Sequence, residues 1–275
     1  MTTPDSSSPA APAGTAPDPH VEKVRANYDT RVGQWQTIYQ GESFHDHVIQ
    51  RRMQRCLEAV DTLGSPAAGP GSGRALDVGC GAGQMALELH RRGYDVSAVD
   101  ISSGMVEATQ ATFAAAGADA DVREADMRHL PYDDDTFAWV TGLGAIEYLT
   151  DPGEAVVEFA RVLAPGGHVV VTSPNPYRLA FALDPIGVAM GVLGPPPTGY
   201  PRQYISERKL RGYADRAGLQ VVGVLGHGVG PLQVAKRPLL PPRASMRISH
   251  AAETHLPLSW LSKLGANLIL VARKP

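Results

Sequence analysis

The chain has 275 residues, 43% of them hydrophobic and 19% charged, which suits one large α/β domain with insertions. Its formal net charge of −3 gives no attraction for a polyanion, so we expect no nucleic-acid partner. The two cysteines, Cys56 and Cys80, are far apart in sequence, which argues against a disulfide framework or a zinc cluster and favours a cytoplasmic location.

Residues 1–20 consist mainly of Pro, Ala, Ser and Thr, with almost no large apolar side chain. Such a segment cannot repay its ordering entropy by burial, so we predict a disordered tail. It lacks the basic start and apolar middle of a signal peptide, and no later segment is long and apolar enough to predict a membrane span. Residues 21–64 carry helical signals, with Tyr28, Trp35 and Tyr39 among the aromatic positions.

From Arg74 onward, short apolar runs alternate with helical patterns, which predicts βαβ units and a parallel sheet. Two irregular stretches, at about 174–204 and 226–265, interrupt the alternation and predict cap insertions in a domain spanning 74–275. The predicted strands are 75–78, 96–99, 121–124, 137–143, 168–172, 219–225 and 266–272. The predicted helices are 84–92, 102–116, 153–163 and 206–217.

A glycine-rich turn follows the first predicted strand in the sequence LDVGCGAGQ. Gly79, Gly81 and Gly83 lack a Cβ, so the backbone can turn sharply and a ligand can lie against it. Asp77 precedes the first glycine by two residues, and no Lys or Arg is present to meet a phosphate. A purely structural turn is the alternative, but the pattern favours a nucleotide-like cofactor without phosphate.

Acidic residues follow the next two strands. Asp100 ends the second predicted strand, where a carboxylate can accept hydrogen bonds from both ribose hydroxyls. Asp126 and Met127 follow the third strand and can meet the amino edge and the face of an adenine, although Asp126 is also a plausible turn residue. Because ligands of open parallel sheets bind at the carboxyl ends of the strands, these residues are predicted to share one crevice.

The segments LDVGCGAGQ, AVDIS, EADMRHLPYDDDTFAWV and FARVLAPGGHVVVTSPNP resemble the successive motifs of class I S-adenosylmethionine-dependent methyltransferases. The resemblance is continuous over 74–175 and weaker over 204–225 and 266–274. It implies a Rossmann-like, doubly wound, mostly parallel seven-stranded sheet with an N-terminal helical lid and cap insertions, and S-adenosyl-L-methionine as the cofactor. The cofactor-binding residues that it implies are Asp77, Gly79, Gly81, Gly83, Asp100, Ile101, Met105, Asp126, Met127 and Leu143.

The resemblance further implies that Gly79, Gly81 and Gly83 contact the methionine part of the cofactor and that Leu143 lies near its methyl-bearing sulfur. The segment YDTRVGQWQTIY is similar to the aromatic lid helix of members that act on quinone precursors and magnesium porphyrins. It is therefore predicted to close over the cofactor, although an aromatic stripe can also simply pack a helix on the core.

Methyl transfer from a sulfonium requires alignment, exclusion of water and sometimes removal of a proton, so no catalytic triad is expected. Many relatives carry a histidine after the fourth strand, whereas this chain reads GLGAIEYLTDP there. The candidate catalytic residues are therefore Tyr148, His227 and Tyr28. The histidine at 168 begins a strand and is predicted to be structural.

Two short polar runs resemble metal ligands, but we predict no metal site. The run Asp133-Asp134-Asp135 is predicted to be a solvated loop, and His45-Asp46-His47 a helix surface or a substrate contact.

The two insertions contain apolar residues that predict a lipophilic acceptor site, with a small core within the cap as the alternative. These residues are Phe181, Ile186, Met190, Val192, Leu193, Leu232, Val234, Leu239, Leu240, Met246 and Ile248. The main hypothesis is methyl transfer to a small apolar or aromatic metabolite, with O-methylation ahead of C-methylation, in bacterial specialised metabolism. The alternative is a non-catalytic S-adenosylmethionine-binding regulatory protein; an NAD-dependent oxidoreductase is disfavoured by the glycine spacing. The expected partners are a small-molecule methyl acceptor and, at most, a second copy of the chain, as a monomer or homodimer.

Overall fold

The structure is a computed structural model that describes residues 19–64, 71–179, 202–230, 233–234 and 237–275. Residues 1–18 of the predicted disordered tail lie outside the described residues. The last two residues of that prediction, Pro19 and His20, belong to the first helix instead. The described strands are β1 (Arg74–Val78), β2 (Asp95–Asp100), β3 (Asp121–Glu124), β4 (Phe137–Leu143), β5 (Leu163–Pro174), β6 (Gln220–His227), β7 (Gln233–Val234), β8 (Arg237–Pro238) and β9 (Asn267–Arg273).

Seven of these strands form one sheet in the order β3-β2-β1-β4-β5-β9-β6. The strands from β3 to β5 pair in parallel, whereas β9 runs antiparallel between β5 and β6. In β1, Ala75 to Val78 are all buried, as expected for a strand covered on both faces. The sheet confirms the predicted mostly parallel, doubly wound architecture.

Helices cover both faces of the sheet. The described helices are α1 (Pro19–Asp29), α2 (Val32–Thr37), α3 (Phe44–Leu63), α4 (Gln84–Arg91), α5 (Ser103–Ala115), α6 (Pro152–Val162), α7 (Glu207–Arg216), α8 (Pro242–His255) and α9 (Leu258–Leu264). On one face, Phe159 of α6 and Leu210 of α7 are in the same apolar cluster as Leu76 of β1. On the other face, Cys56 of α3 and Leu89 of α4 belong to a second apolar cluster, together with strand side chains on that face of the sheet.

Side-chain caps begin α5 and α6. Ser102 caps α5, because its hydroxyl accepts the backbone N–H of Met105 at 3.2 Å. Asp151 caps α6 by accepting the N–H of Gly153 at 2.9 Å, next to a proline in the first turn.

The segment after α6 differs from the prediction. We expected the helix to continue to 163 and the strand to begin at 168, but β5 already begins at Leu163. Leu163 pairs with Phe137, and the register then shifts before His168 pairs with Trp139. The Pro165-Gly166-Gly167 sequence therefore occupies an irregularity within the strand instead of a connecting loop.

The first predicted insertion lies largely outside the described residues, together with its apolar positions at 181–193. In the second, α8 turns Ser245, Ser249 and Glu253 inward, while Ile248 is 42% and Leu239 is 62% exposed. The expected apolar wall is therefore wrong at Ile248 and Leu239. For Ile248 the reason is that α8 docks through charge: the carboxylate of Glu253 accepts the N–H of Gly228 at 2.9 Å and pairs with arginines of α3.

None of the helices that the structure describes is both long enough and apolar enough to cross a membrane.

Candidate functional site

The glycine-rich turn joins β1 to α4 at the carboxyl edge of the sheet. Gly79 and Gly81 have φ values of +68° and +57°, which disfavour other residues. A Cβ on Gly79 would lie 2.6 Å from the Cβ of Ala145, whereas a Cβ on Gly81 would meet no atom within 4 Å. Gly79 is thus required by packing, and open space lies above Gly81.

Asp100, at the end of β2, is buried beside this turn. One carboxylate oxygen accepts the N–H of Gly81 at 2.9 Å and the other accepts the N–H of Ser102 at 3.0 Å. Burial raises the pKa of Asp100 to about 6, and these backbone hydrogen bonds act in the opposite direction.

Asp77 is a second buried carboxyl group beneath the turn. It accepts a hydrogen bond of 2.7 Å from the hydroxyl of Thr141 and one from the backbone N–H of Ala86 in the first turn of α4. Burial, reinforced by the charge of Asp100, raises the pKa of Asp77 to about 7. A bound cation at this position would favour the ionised carboxylate.

The residues predicted to meet the adenine lie beyond β2 and β3. Asp126 is half-buried and accepts hydrogen bonds from the guanidinium of Arg128, the shortest at 2.7 Å. Burial alone raises the pKa of Asp126, but the hydrogen bonds from Arg128 outweigh it and hold that pKa below its usual value. The group therefore stays an ionised hydrogen-bond acceptor at neutral pH.

These elements enclose a cleft of about 970 Å³ including its open mouth, here called the donor cleft. Eight of the ten predicted cofactor residues line it: Asp77, Gly79, Gly81, Asp100, Ile101, Asp126, Met127 and Leu143. Gly83 and Met105 do not. Gly83 has a φ of +84° and packs against Thr109, and the side chain of Met105 is fully buried in the core below α5.

Aromatic residues of the first two helices and their connections close the donor cleft from the other side. Tyr28, Trp35 and Tyr39 all line it. The Tyr28 ring lies 6.1 Å from that of Trp35 and 5.6 Å, edge to face, from that of Tyr148. The hydroxyl of Ser102 donates to Asp29 at 2.5 Å, which fastens the end of α1 to the start of α5.

A second cavity of about 1720 Å³ including its opening adjoins the donor cleft, and we call it the acceptor cavity. It lies among α2, α3, the segment after β5 and the start of α8. Five residues line both spaces: Tyr28, Trp35, Arg52, Gly144 and Tyr148. The two spaces therefore meet at a common wall.

The acceptor cavity is strongly cationic. It is lined by Arg31, Arg52, Arg178 and Arg202, and by no Asp or Glu of the described residues. Arg202 forms an ion pair of 3.1 Å with Glu147, which is completely buried behind the wall. Arg52 is only 5% exposed, and its Nε has no hydrogen-bond partner within the described part of the chain.

The three candidate catalytic residues do not come together. Tyr28 and Tyr148 lie in the common wall, where burial raises the pKa of Tyr148 above 10 and keeps its phenol protonated. His227, at the end of β6, is buried and lines neither space. Burial and nearby arginines lower the pKa of His227 to about 3, so its imidazole stays neutral. The structure therefore places His227 away from the site for which the sequence suggested it.

His45 lines the acceptor cavity instead, on α3. His45 is exposed at the cavity surface, but the neighbouring protein atoms still desolvate its imidazole and lower its pKa below 6.5. The charge of Asp46 opposes this shift and the charges of Arg202 and Arg52 add to it, so the imidazole is neutral at neutral pH. Together with Val48, Ile49 and Arg52 it lines the cavity at helical spacing. An arginine in the apolar stripe of an amphipathic helix is the sequence signal that would have revealed this surface.

The two polar runs considered as metal ligands have other partners. Asp46 accepts the backbone N–H of Ser43 in a capping box at the start of α3. Asp134 and Asp135 each form an ion pair of 2.7 Å, with Arg161 and Lys274. Within the described ranges, no group of three His, Cys, Asp or Glu side chains is arranged to hold a metal ion.

Comparison with known proteins relates this geometry to a family. Residues 76–171 match the family model described as a methyltransferase domain. A ubiquinone biosynthesis O-methyltransferase of Xanthomonas axonopodis pv. citri (strain 306) is 30% identical over 159 residues, covering 57% of this chain and 66% of that protein. The same enzyme of Caulobacter sp. (strain K31) is 30% identical and is covered to 64%. The matches thus span just under two thirds of these curated relatives.

Two solved structures share the fold. Magnesium protoporphyrin IX methyltransferase from Synechocystis PCC 6803, with bound S-adenosylhomocysteine, superposes with a TM-score of 0.60 at 18% identity, covering 93% of this chain and 100% of that chain. A S-adenosylmethionine-dependent methyltransferase from Thermotoga maritima gives a TM-score of 0.60 at 18% identity, covering 91% and 99%.

Proposed function

We propose that this chain, which carries a class I S-adenosylmethionine-dependent methyltransferase domain, transfers a methyl group from S-adenosylmethionine to a small organic acceptor in the acceptor cavity. The observation that supports this most directly is the common wall of the two spaces, formed by Tyr28, Trp35, Arg52, Gly144 and Tyr148. Two molecules bound in adjoining spaces can be aligned for direct transfer.

The donor cleft fits the cofactor chemically. The open space above Gly81 accommodates a ligand against the backbone. In the proposed arrangement Asp100 accepts hydrogen bonds from the ribose hydroxyls, and Asp126 accepts one from the adenine amino group. Asp77, buried and without a cationic partner within the described residues, suits the ammonium of the methionine part.

When bound, S-adenosylmethionine supplies an electrophilic methyl group on a sulfonium sulfur. The protein then has to orient the acceptor and exclude water. We assign both tasks to the aromatic residues Tyr28, Trp35 and Tyr148, which line both the donor cleft and the acceptor cavity. Because its phenol remains protonated, Tyr148 orients an acceptor by hydrogen bonding and does not serve as the base.

If the acceptor atom is a hydroxyl oxygen, its proton has to be removed, and we assign this step to Nδ1 or Nε2 of His45. Its imidazole is neutral at neutral pH and lines the acceptor cavity. This assignment replaces Tyr148, Tyr28 and His227. O-methylation is favoured over C-methylation because such a base is available, and the curated relatives are named as O-methyltransferases.

A small aromatic metabolite suits the ring-lined wall, and its methylation in bacterial specialised metabolism is the broader role that we propose. A non-catalytic S-adenosylmethionine-binding regulatory protein is the competing function, because the donor cleft alone would suffice for it. The acceptor cavity, which such a protein does not need, favours the enzyme.

The first test is calorimetry of the full chain with S-adenosylmethionine, S-adenosylhomocysteine and NAD. We expect binding of both sulfur compounds and none of NAD, because the G-x-G-x-G spacing of the turn differs from the G-x-G-x-x-G pattern of dinucleotide-binding proteins. Tight NAD binding without either sulfur compound would contradict the function. Mass spectrometry after incubation with methyl-labelled S-adenosylmethionine and bacterial metabolite extract then detects the transfer, and a labelled product eliminates the regulatory alternative.

A further inference from the structure

We infer, on the premise of the methyl transfer proposed above, that the acceptor is an aromatic carboxylate whose carboxylate group is bound by Arg31, Arg178 and Arg202 in the acceptor cavity. The sequence predicted an apolar acceptor site, and arginines line the acceptor cavity alongside its apolar residues.

The inference begins with the distribution of charge. The chain as a whole has a net charge of −3, yet four arginines and no acidic residue of the described chain line this one cavity. The positive charge is therefore concentrated at the cavity and does not reflect a basic composition. Such a cavity attracts anions and disfavours cationic ligands.

Part of the cationic charge of this cavity has no carboxylate partner among the described residues. Arg202 has Glu147 as its partner, whereas neither Arg31 nor Arg52 forms an ion pair within the described residues. Arg52 is also more than nine-tenths buried and adjoins both spaces. A buried cation without a counterion is costly, so a ligand anion is the expected partner.

The arginines of the acceptor cavity fall into two groups by the spaces that they line. Arg52 lines both spaces, so the carboxylate of the cofactor's methionine part can be its partner. Arg31, Arg178 and Arg202 line only the acceptor cavity and are out of the donor cleft. An anion that contacts them therefore lies in the acceptor cavity and belongs to the acceptor.

The arrangement of Arg178 and Arg202 points to a carboxylate in particular. Burial, together with the charge of Arg202, lowers the pKa of Arg178, so the two cations lie close enough to repel each other. Arg178 stacks on Tyr204 at 5.4 Å, and Arg202 on Tyr148 at 5.9 Å. These contacts orient planar guanidinium groups, which match a carboxylate with two parallel hydrogen bonds.

The rest of the cavity wall suits the aromatic part of such a ligand. Tyr28, Trp35, Phe44 and Tyr148 present rings to the same space that the arginines line. Aromatic rings favour offset or edge-to-face packing with a flat ligand. The neutral imidazole of His45 lies in the same wall, where a hydroxyl of the ligand can reach a base.

The test measures calorimetric binding to the full chain saturated with S-adenosylhomocysteine. The probes are para-hydroxybenzoate, para-hydroxycinnamate and a hydroxynaphthoate, each compared with its own uncharged carboxamide. The variants are Arg31→Gln and Arg178→Gln, which change residues outside the donor cleft. The matched control is Arg247→Gln, an exposed arginine of α8 that lines neither space.

We expect at least one acid to bind about tenfold more tightly than its carboxamide, the scale of a charge-assisted hydrogen bond. Arg31→Gln and Arg178→Gln should each remove most of that preference, leave carboxamide binding unchanged and retain normal S-adenosylhomocysteine affinity. Arg247→Gln should keep both the preference and the S-adenosylhomocysteine affinity of the unmodified chain. Arg31 follows α1 in a connecting segment, so its substitution does not threaten the fold.

The inference is overturned if no acid binds, if every acid binds no better than its carboxamide, or if the two arginine variants keep the full preference. In each of these cases normal S-adenosylhomocysteine binding shows that the proposed methyltransferase function still stands. Failure of S-adenosylhomocysteine to bind the unmodified chain overturns that function, and the inference with it.

Discussion

The carboxylate of Asp100 accepts the backbone N–H of Gly81 at 2.9 Å, so the end of β2 is joined to the glycine turn that follows β1. This bond holds the acid at the edge of the open space above the turn. It also explains how a residue 19 positions later in the chain becomes part of the same site.

We expect Asp100→Ala to weaken S-adenosylhomocysteine binding by about 1 to 3 kcal/mol, the scale of lost charge-assisted hydrogen bonds. Calorimetry measures the change. Asp95→Ala is the matched control, because Asp95 begins the same strand with its side chain 80% exposed and far from the turn. Unchanged affinity in a folded Asp100→Ala variant would show that the ribose is bound elsewhere.

Asp77 should make the ligand-free protein less stable as the pH rises. Its folded-state pKa of about 7 lies above the ordinary value of 3.8, so between these pH values the folded state binds more protons than the unfolded state. Stability contributed by the protonated group is therefore lost as the pH increases through this window. Asp77→Asn removes the ionisation while Thr141 can still donate to the amide oxygen.

The gain in free energy of unfolding for Asp77→Asn should accordingly be larger near pH 8 than near pH 5, by about 2 kcal/mol. Urea denaturation without cofactor at the two pH values measures it. Asp119→Asn, at an exposed position, is the control and should show no such difference. An equal effect of Asp77→Asn at both pH values would mean that the carboxyl group is already ionised in the mildly acidic range.

His45→Asn should lower kcat for a hydroxyl acceptor by about a hundredfold or more if His45 removes the proton. In the unmodified enzyme kcat/KM should fall as the pH drops through a value below 6.5, because protonation of the imidazole abolishes the base. The variant should lack that pH dependence. His47→Asn, two residues further along α3 and outside both spaces, should behave like the unmodified protein. A normal kcat in His45→Asn would remove this assignment.

Deletion of residues 1–18 should leave methyl transfer intact, whereas deletion of residues 1–40 should abolish turnover without unfolding the α/β core. The longer deletion removes Tyr28, Trp35 and Tyr39, which close the donor cleft, but leaves α3 and the sheet complete. Circular dichroism and labelled methyl transfer measure the two effects. Full activity after the longer deletion would show that the aromatic wall is dispensable, and loss of folding would show that these helices belong to the core.

The sequence by itself determined the order of strands and helices and most of the donor cleft. Glycine turns, capping residues such as Ser102 and runs of buried strand residues act over a few positions, so the sequence shows them directly. Asp100, Asp126 and the glycines could then be combined because the carboxyl ends of parallel strands meet at one edge. Gly83 and Met105 fit the pattern equally well, and only packing separated them from the residues that line the cleft.

Only the tertiary structure decided the character of the acceptor cavity. Arg31, Arg52, Arg178 and Arg202 come from four separate places in the chain, and no local pattern relates them. Likewise, the direction in which α8 faces depends on the pairing of Glu253 with α3, and the burial of His227 depends on the helices that cover the end of β6. Contacts between distant segments fix the electrostatics of a cavity, because charge acts through space and not along the chain.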